Sequence, residues 1–294
     1  MNTLKVILST LILSLLAACG GGSGYNSGGG SYNTMVSGTA TKGPVSNATV
    51  TAYAINSGQM GSQIATTTTG VNGNFSMTMG SYSGPVMLQM SGGSYTDEAT
   101  GNPMTMAAND VMSAVLPTVA SGANVTGIQV TPVTSIAQTR ALAMSGGMTD
   151  ANINAANTAM GNYFLVSDIL HTPPMNPLVQ GSGTAASQGA RNYGMTIAAM
   201  SQSAKSLNMT VSSAFVTAMM SDASDGTMNG MMGTNPISMS MGGMMGTMAT
   251  TAGTGGLAAA MTDFMNSTAN ASGLTALEMD ALIQKMTISN GQIL

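Results

Sequence analysis

The sequence predicts an α+β multidomain chain in which a small antiparallel β-sandwich is followed by an α-helical bundle. Two observations carry this. Short runs of period-two alternation, broken by turn residues, occupy about residues 35–106, and apolar spacings of three and four take over from residue 131. A third observation sets the surroundings: charged residues make up only 5% of the 294-residue chain, about a fifth of the roughly 25% usual in globular domains. That composition excludes a basic nucleic-acid binder and a charged disordered tail. Apolar residues reach 44%, enough for a packed core wherever the periodic segments fall.

At the N-terminus, Lys5 precedes an apolar stretch from Val6 to Ala18, too short to span a bilayer as a helix and suited to the h-region of a signal peptide over residues 1–18. It ends in Leu16-Ala17-Ala18-Cys19, which resembles the lipobox of bacterial lipoproteins. The resemblance implies cleavage before Cys19, acylation of that cysteine, and a lipid bilayer as the first partner of the chain. Gly20, where some members carry Asp, implies export to the outer membrane. Cys19 is the only cysteine, so no intrachain disulfide is expected. Without residues 1–18 the chain keeps five basic against ten acidic side chains, a balance that argues against nucleic acid as a partner. Residues 19–34 read as a tether: Gly20 to Asn33 (GGGSGYNSGGGSYN) is a flexible coil reaching roughly 20 Å.

The strands follow in order. Val36 begins one, Ala48 to Ala54 alternates small apolar residues with Thr, and Gln63 to Thr69 is Thr-rich. After the Asn72-Gly73 turn signal, Phe75, Met77 and Met79 alternate with Asn74, Ser76 and Thr78. Val86 to Met90 closes the set. Within this region Gly38-Thr-Ala-Thr-Lys42-Gly-Pro44-Val-Ser-Asn-Ala48-Thr-Val50-Thr-Ala-Tyr53, then Thr69-Gly-Val-Asn-Gly73-Asn-Phe75-Ser-Met, resembles the carboxypeptidase-regulatory-like, transthyretin-like domain. The resemblance implies a prealbumin-like sandwich over residues 35–106 and an accessory module without catalysis. Gly70 stands where the family carries Asp, which removes one structural side-chain bond from that turn. Ser91 to Gly101 contains an adjacent acidic pair, Asp97-Glu98, and reads as a polar hairpin tip, since two carboxylates fall short of the roughly 6–8 oxygens that Ca²⁺ takes. Residues 107–130 read as a weakly periodic connector.

From 131 to 294 the pattern is helical. Thr131 is an N-cap with Pro132 at the first helical position, and Val133, Ile136, Ala137, Ala141 and Met144 share a face. Ile153, Ala156, Met160 and Phe164 repeat the spacing, and Tyr193, Ile197, Met200, Ala204 and Leu207 step by four and three. Val211, Phe215 and Ala218 mark another helix, and Leu257, Met261 and Phe264 a fifth. Thr275-Ala-Leu-Glu278 is a capping box opening the last. The prolines of His171-Thr-Pro-Pro174-Met-Asn-Pro177 require an extended crossing loop.

No enzyme is expected. His171 is the only histidine, no second thiol exists, and neither a phosphate-binding loop nor a nucleophile elbow occurs. Ser221 to Gly230 misses the EF-hand pattern, because Met232 occupies the position of the bidentate Glu, and reads as a helix-ending turn. Methionine is the anomaly: the chain has 31, and they crowd residues 219–248. Thioethers select soft ions such as Cu(I) or Ag(I), so Met228, Met231, Met232, Met239, Met241, Met244, Met245 and Met248 form a candidate metal set on a mobile loop over about 230–256. The competing reading is methionine as an adaptable core filler in place of leucine. The leading expectation is a non-enzymatic envelope lipoprotein with a structural or adhesive role and no cofactor. The alternative is a soft-metal-binding envelope protein.

Overall fold

The structure, a computed structural model, describes residues 33–293. The signal peptide, Cys19 and all but the last residues of the tether lie outside the described residues. The architecture is mixed α+β. Nine strands come first: β1 (Met35–Ala40), β2 (Thr49–Asn56), β3 (Gln59–Thr68), β4 (Asn74–Thr78), β5 (Gly84–Ser91), β6 (Ser94–Thr96), β7 (Pro103–Thr105), β8 (Val111–Val119) and β9 (Asn124–Val130). Helices α1 (Pro132–Ala143), α2 (Asp150–Tyr163), α3 (Ser182–Ala185), α4 (Gln188–Ser206) and α5 (Ser213–Ala223) follow. Four short strands, β10 (Met231–Met232), β11 (Asn235–Pro236), β12 (Ser238–Met241) and β13 (Met244–Thr247), precede α6 (Gly255–Met265) and α7 (Ala276–Ile288).

A four-stranded antiparallel sheet in the order β3-β2-β5-β8 and a three-stranded sheet in the order β4-β1-β9 share one apolar core. Alternation accounts for it. Phe75 and Met77 of β4 face inward while their neighbours stay exposed, and Val50 and Ala52 of β2 do the same from the opposite sheet. One pairing departs from the antiparallel expectation: β9 returns beside β1 in parallel, with Gly38 opposite Ile128 and Ala40 opposite Val130. Thr34, at the end of the expected tether, is fully buried, and its Oγ1 donates to Tyr82 O at 2.8 Å. The folded body therefore begins there.

Residues 107–130, expected as a connector, instead carry β8 and β9. The reason is burial on both faces. Met112, Ala114 and Leu116 of β8 face the core between the sheets, while Val115 joins Met87, Ile55, Ala141, Ile153 and Ala156 in a second cluster against α1 and α2. A strand covered twice loses its alternation and gives no period-two signal. Its outer edge is occupied as well: Ser113 N donates to Ser135 Oγ at 2.8 Å and Thr118 N to Asp150 Oδ1 at 2.9 Å. Those side chains keep the edge from pairing with another chain.

The helices fall where the spacings place them, and they share a core that includes Tyr193, Phe164, Phe215 and Phe264. Thr131 and Thr275 form the capping boxes read from the sequence. Buried Tyr193 hydrogen-bonds Thr131 Oγ1 at 2.6 Å and donates to Ile169 O at 2.9 Å, joining the start of α1 to the loop that carries His171. Burial pushes its phenol well above the usual range.

Candidate functional site

The densest set of ionisable groups lies where the β-rich part meets the helices. Lys42 follows β1, in a turn closed by a bridge between Thr41 and Pro44, and is fully buried. Asp97 and Glu98 follow β6 and are 1% and 2% exposed. This corrects the reading of that pair as a polar hairpin tip. Lys42 Nζ lies 2.8 Å from Glu98 Oε2 and 4.0 Å from Asp97 Oδ2, and it also donates to Ser201 Oγ of α4. Ser201 Oγ in turn donates to Glu98 Oε2 at 2.6 Å. Ser212, just before α5, donates to Asp97 Oδ2 at 2.5 Å and lies 3.0 Å from the Tyr95 hydroxyl. The Tyr95 ring sits 5.2 Å from the ammonium. The other oxygen of Asp97 accepts the backbone N–H groups of Ala99 and Thr100, each at 3.1 Å.

Burial alone would depress the Lys42 pKa. The facing Glu98 carboxylate outweighs it, with Tyr95 and Asp97 adding, so the ammonium is held above its usual 10.5. That decides what the cluster can do. An amine that stays protonated cannot take the proton of Ser201, so Lys42 and Ser201 are not a base and nucleophile. The group acts as an ionic bolt between β1, the segment after β6, α4 and α5. Sequence reasoning missed it, although a faint signal existed: Asp97-Glu98 is an adjacent acidic pair in a chain that is only 5% charged.

A nearby turn explains how the chain manages without the family's Asp at Gly70. Thr69, 2% exposed, accepts the Ala48 N–H at 2.9 Å and donates to Val45 O at 2.6 Å, closing that corner from the preceding residue.

His171 borders a cavity of about 530 Å³ between the end of β8, α2 and the loop from Ser167. Its Nδ1 lies 2.8 Å from Asp168 Oδ2, and both side chains are about half exposed. The other Asp168 oxygen accepts the backbone N–H groups of Leu170 and His171. The pair caps a turn, and no hydroxyl hydrogen-bonds to either partner among the described residues.

The eight candidate methionines do not stay together. Met228, Met239 and Met248 are 0%, 5% and 4% exposed and belong to the helical core. Met231 and Met241 are half-buried, whereas Met232, Met244 and Met245 are exposed. The expectation of a loop without an apolar face is thereby corrected. Residues 230–256 fold into two small hairpins, β10 with β11 and β12 with β13, anchored by Ile237, Met239 and Met248. Irregular intervals between the anchors hide them from a periodicity reading.

The approach to these hairpins is the helix-ending turn expected at Ser221 to Gly230. Asp222 is fully buried, and its Oδ1 accepts the N–H groups of Asn229, Gly230 and Met231 at 2.9, 2.7 and 3.2 Å. Burial pushes its carboxyl up to about 6 in spite of these three donors. Asp225 accepts from Thr227 and Gly233 across the same turn. Among the described residues no group of three His, Cys, Asp or Glu side chains is placed to hold a metal ion.

Comparison of the chain with protein-family models, curated proteins and solved structures finds no match.

Proposed function

We propose that this chain is a non-enzymatic lipoprotein of the bacterial cell envelope, held at the outer membrane by acylated Cys19, whose body is a presentation module with a structural or adhesive role. In this reading the body is a prealbumin-like sandwich followed by a helical bundle. The observation that carries it is Leu16-Ala17-Ala18-Cys19 at the end of a short apolar run, with the one cysteine of the chain at the acylation position. Supporting it, no helix among the described residues is long and apolar enough to cross a membrane, so attachment falls to the N-terminus. The Lys42 cluster supports it from the other side: its charges are enclosed and satisfied by one another, as a framework requires and a catalytic site does not. Several acyl chains on one residue make a firm anchor, each buried CH₂ contributing about 0.8 kcal/mol. Cys19→Ser is expected to abolish incorporation of labelled palmitate and to shift the protein out of the washed membrane fraction. Retention of the variant in that fraction at the wild-type level refutes the anchor.

A second reading, soft-metal binding, draws on the β12–β13 register. Met241 pairs with Met244 and Met239 with Gly246, so Met239, Met241 and Met244 share one face of the hairpin. Under this reading the full chain retains Cu(I) against a weak chelating competitor, and replacing Met241 and Met244 with Leu removes that retention. Failure of the unmodified chain to hold Cu(I) ends it.

A further inference from the structure

A second cavity, of about 140 Å³, lies between β1, β9, the proline loop and α4. Its chemistry is lopsided. Glu98 lines it, and only one of its carboxylate oxygens, Oε2, is engaged by Lys42 and Ser201; the other has no protein partner among the described residues. Gln129 lines it too, 4% exposed, and spends its amide N–H on Gly127 O at 2.9 Å, leaving its carbonyl oxygen Oε1 buried without a partner. A buried amide oxygen in that condition costs about 1–3 kcal/mol, so a donor brought to it is rewarded. Thr39 and Thr41 bring hydroxyls to the same lining.

The rest of the wall supplies few donors. Pro44, Pro173, Pro174 and Pro177 have no backbone N–H, and Met175 and Ile197 add apolar surface. The charge balance points the same way. Lys42, Asp97 and Glu98 sum to one net negative charge in the buried cluster, and the nearest further cation, Lys205, is exposed and turns its ammonium to Ala99 O at 2.9 Å. Gly194 holds the walls at this spacing, since a Cβ there would lie 2.0 Å from Met175 O.

We infer that this proline-walled cavity binds the ammonium head of a short primary alkylamine, with the head on Glu98 and Gln129 and the alkyl stem along Met175 and Ile197. An ammonium carries three N–H donors and one positive charge, matching an acceptor-rich, donor-poor, negatively charged wall. The volume suits a compact group: one water takes about 30 Å³, so a head and three or four carbons fit where a larger ligand would not.

The test uses the full chain in detergent micelles at pH 7 and constant ionic strength, with propylammonium chloride as the probe. Propylammonium at tenfold its dissociation constant is expected to raise the melting temperature by about 3 °C. Tetramethylammonium, a cation without N–H donors, is expected to leave it unchanged. Gln129→Leu should abolish the shift, and Gln129→Glu, which keeps the acceptor and adds charge, should move half-saturation to a lower concentration. Equal shifts from propylammonium and tetramethylammonium overturn the proposal. So does an undiminished shift in Gln129→Leu, which would place the amine elsewhere, or an equal shift from potassium chloride, which would make the site one for bare cations. If Gln129→Leu fails to fold, the Gln129→Glu titration decides, and weaker binding by that variant overturns the proposal.

Discussion

Lys42→Met is expected to cost the fold about 3–5 kcal/mol, because it leaves buried carboxylates without their counter-ion while preserving most of the side-chain volume. The two carboxylates suffer unequally. Asp97 keeps the N–H groups of Ala99 and Thr100 and the hydroxyl of Ser212, whereas Glu98 keeps only the hydroxyl of Ser201. Lys42→Met combined with Glu98→Gln is therefore expected to be more stable than Lys42→Met alone, since the second change removes the stranded charge. Thermal or urea unfolding of the two single variants and the pair measures this. A single variant as stable as the wild type would show that the cluster does not bind the two parts together. The pH dependence has a definite sign. The folded Lys42 holds its proton more tightly than the unfolded one, so its contribution is complete below 10.5 and is lost as pH rises through the raised folded value. Alkaline destabilisation from this source is expected in the wild type and absent in Lys42→Met.

Gly38→Ala is expected to cost about 3 kcal/mol, an overpacking effect at the upper end of the usual range. The added Cβ would lie 1.8 Å from Ile128 O and 2.7 Å from Ile128 C, and backbone in a paired strand cannot retreat without opening the β1–β9 ladder. Gly255→Ala is the control. It lies at the start of α6 with nothing within 4 Å of the built Cβ, and it should change stability by no more than about 0.5 kcal/mol. Urea midpoints at equal slope compare the two, and a Gly38→Ala protein as stable as the Gly255→Ala protein would contradict the close approach.

Particular elements show where the sequence was legible. Strand β4 was, because one face is buried and the other solvated, and the alternation of Asn74, Phe75, Ser76 and Met77 records that directly. The starts of α1 and α7 were, because a capping box lies within four consecutive residues and needs no distant partner. Strand β8 was not, because helices on one side and a sheet on the other bury both faces and erase the alternation. The methionine segment was misread for a related reason. Methionine suits core and surface alike, so composition could not separate buried Met239 and Met248 from exposed Met244 and Met245.

The sequence by itself determined a charge-poor α+β chain, the turn at Asn72-Gly73, the alternating strands around it, and the capped starts of α1 and α7. Each of these is written in residues within about four positions of one another, where backbone preference and side-chain period act. Only the tertiary structure decided that Lys42, Asp97 and Glu98 are buried, that Gln129 turns an unpaired oxygen inward, and which methionines pack. Ser201 lies 159 residues from Lys42 and 103 from Glu98, so whether a charge there is solvated or enclosed depends on surfaces that meet only when distant elements pack. Burial is a property of those meeting surfaces, and no local pattern around Lys42 encodes it.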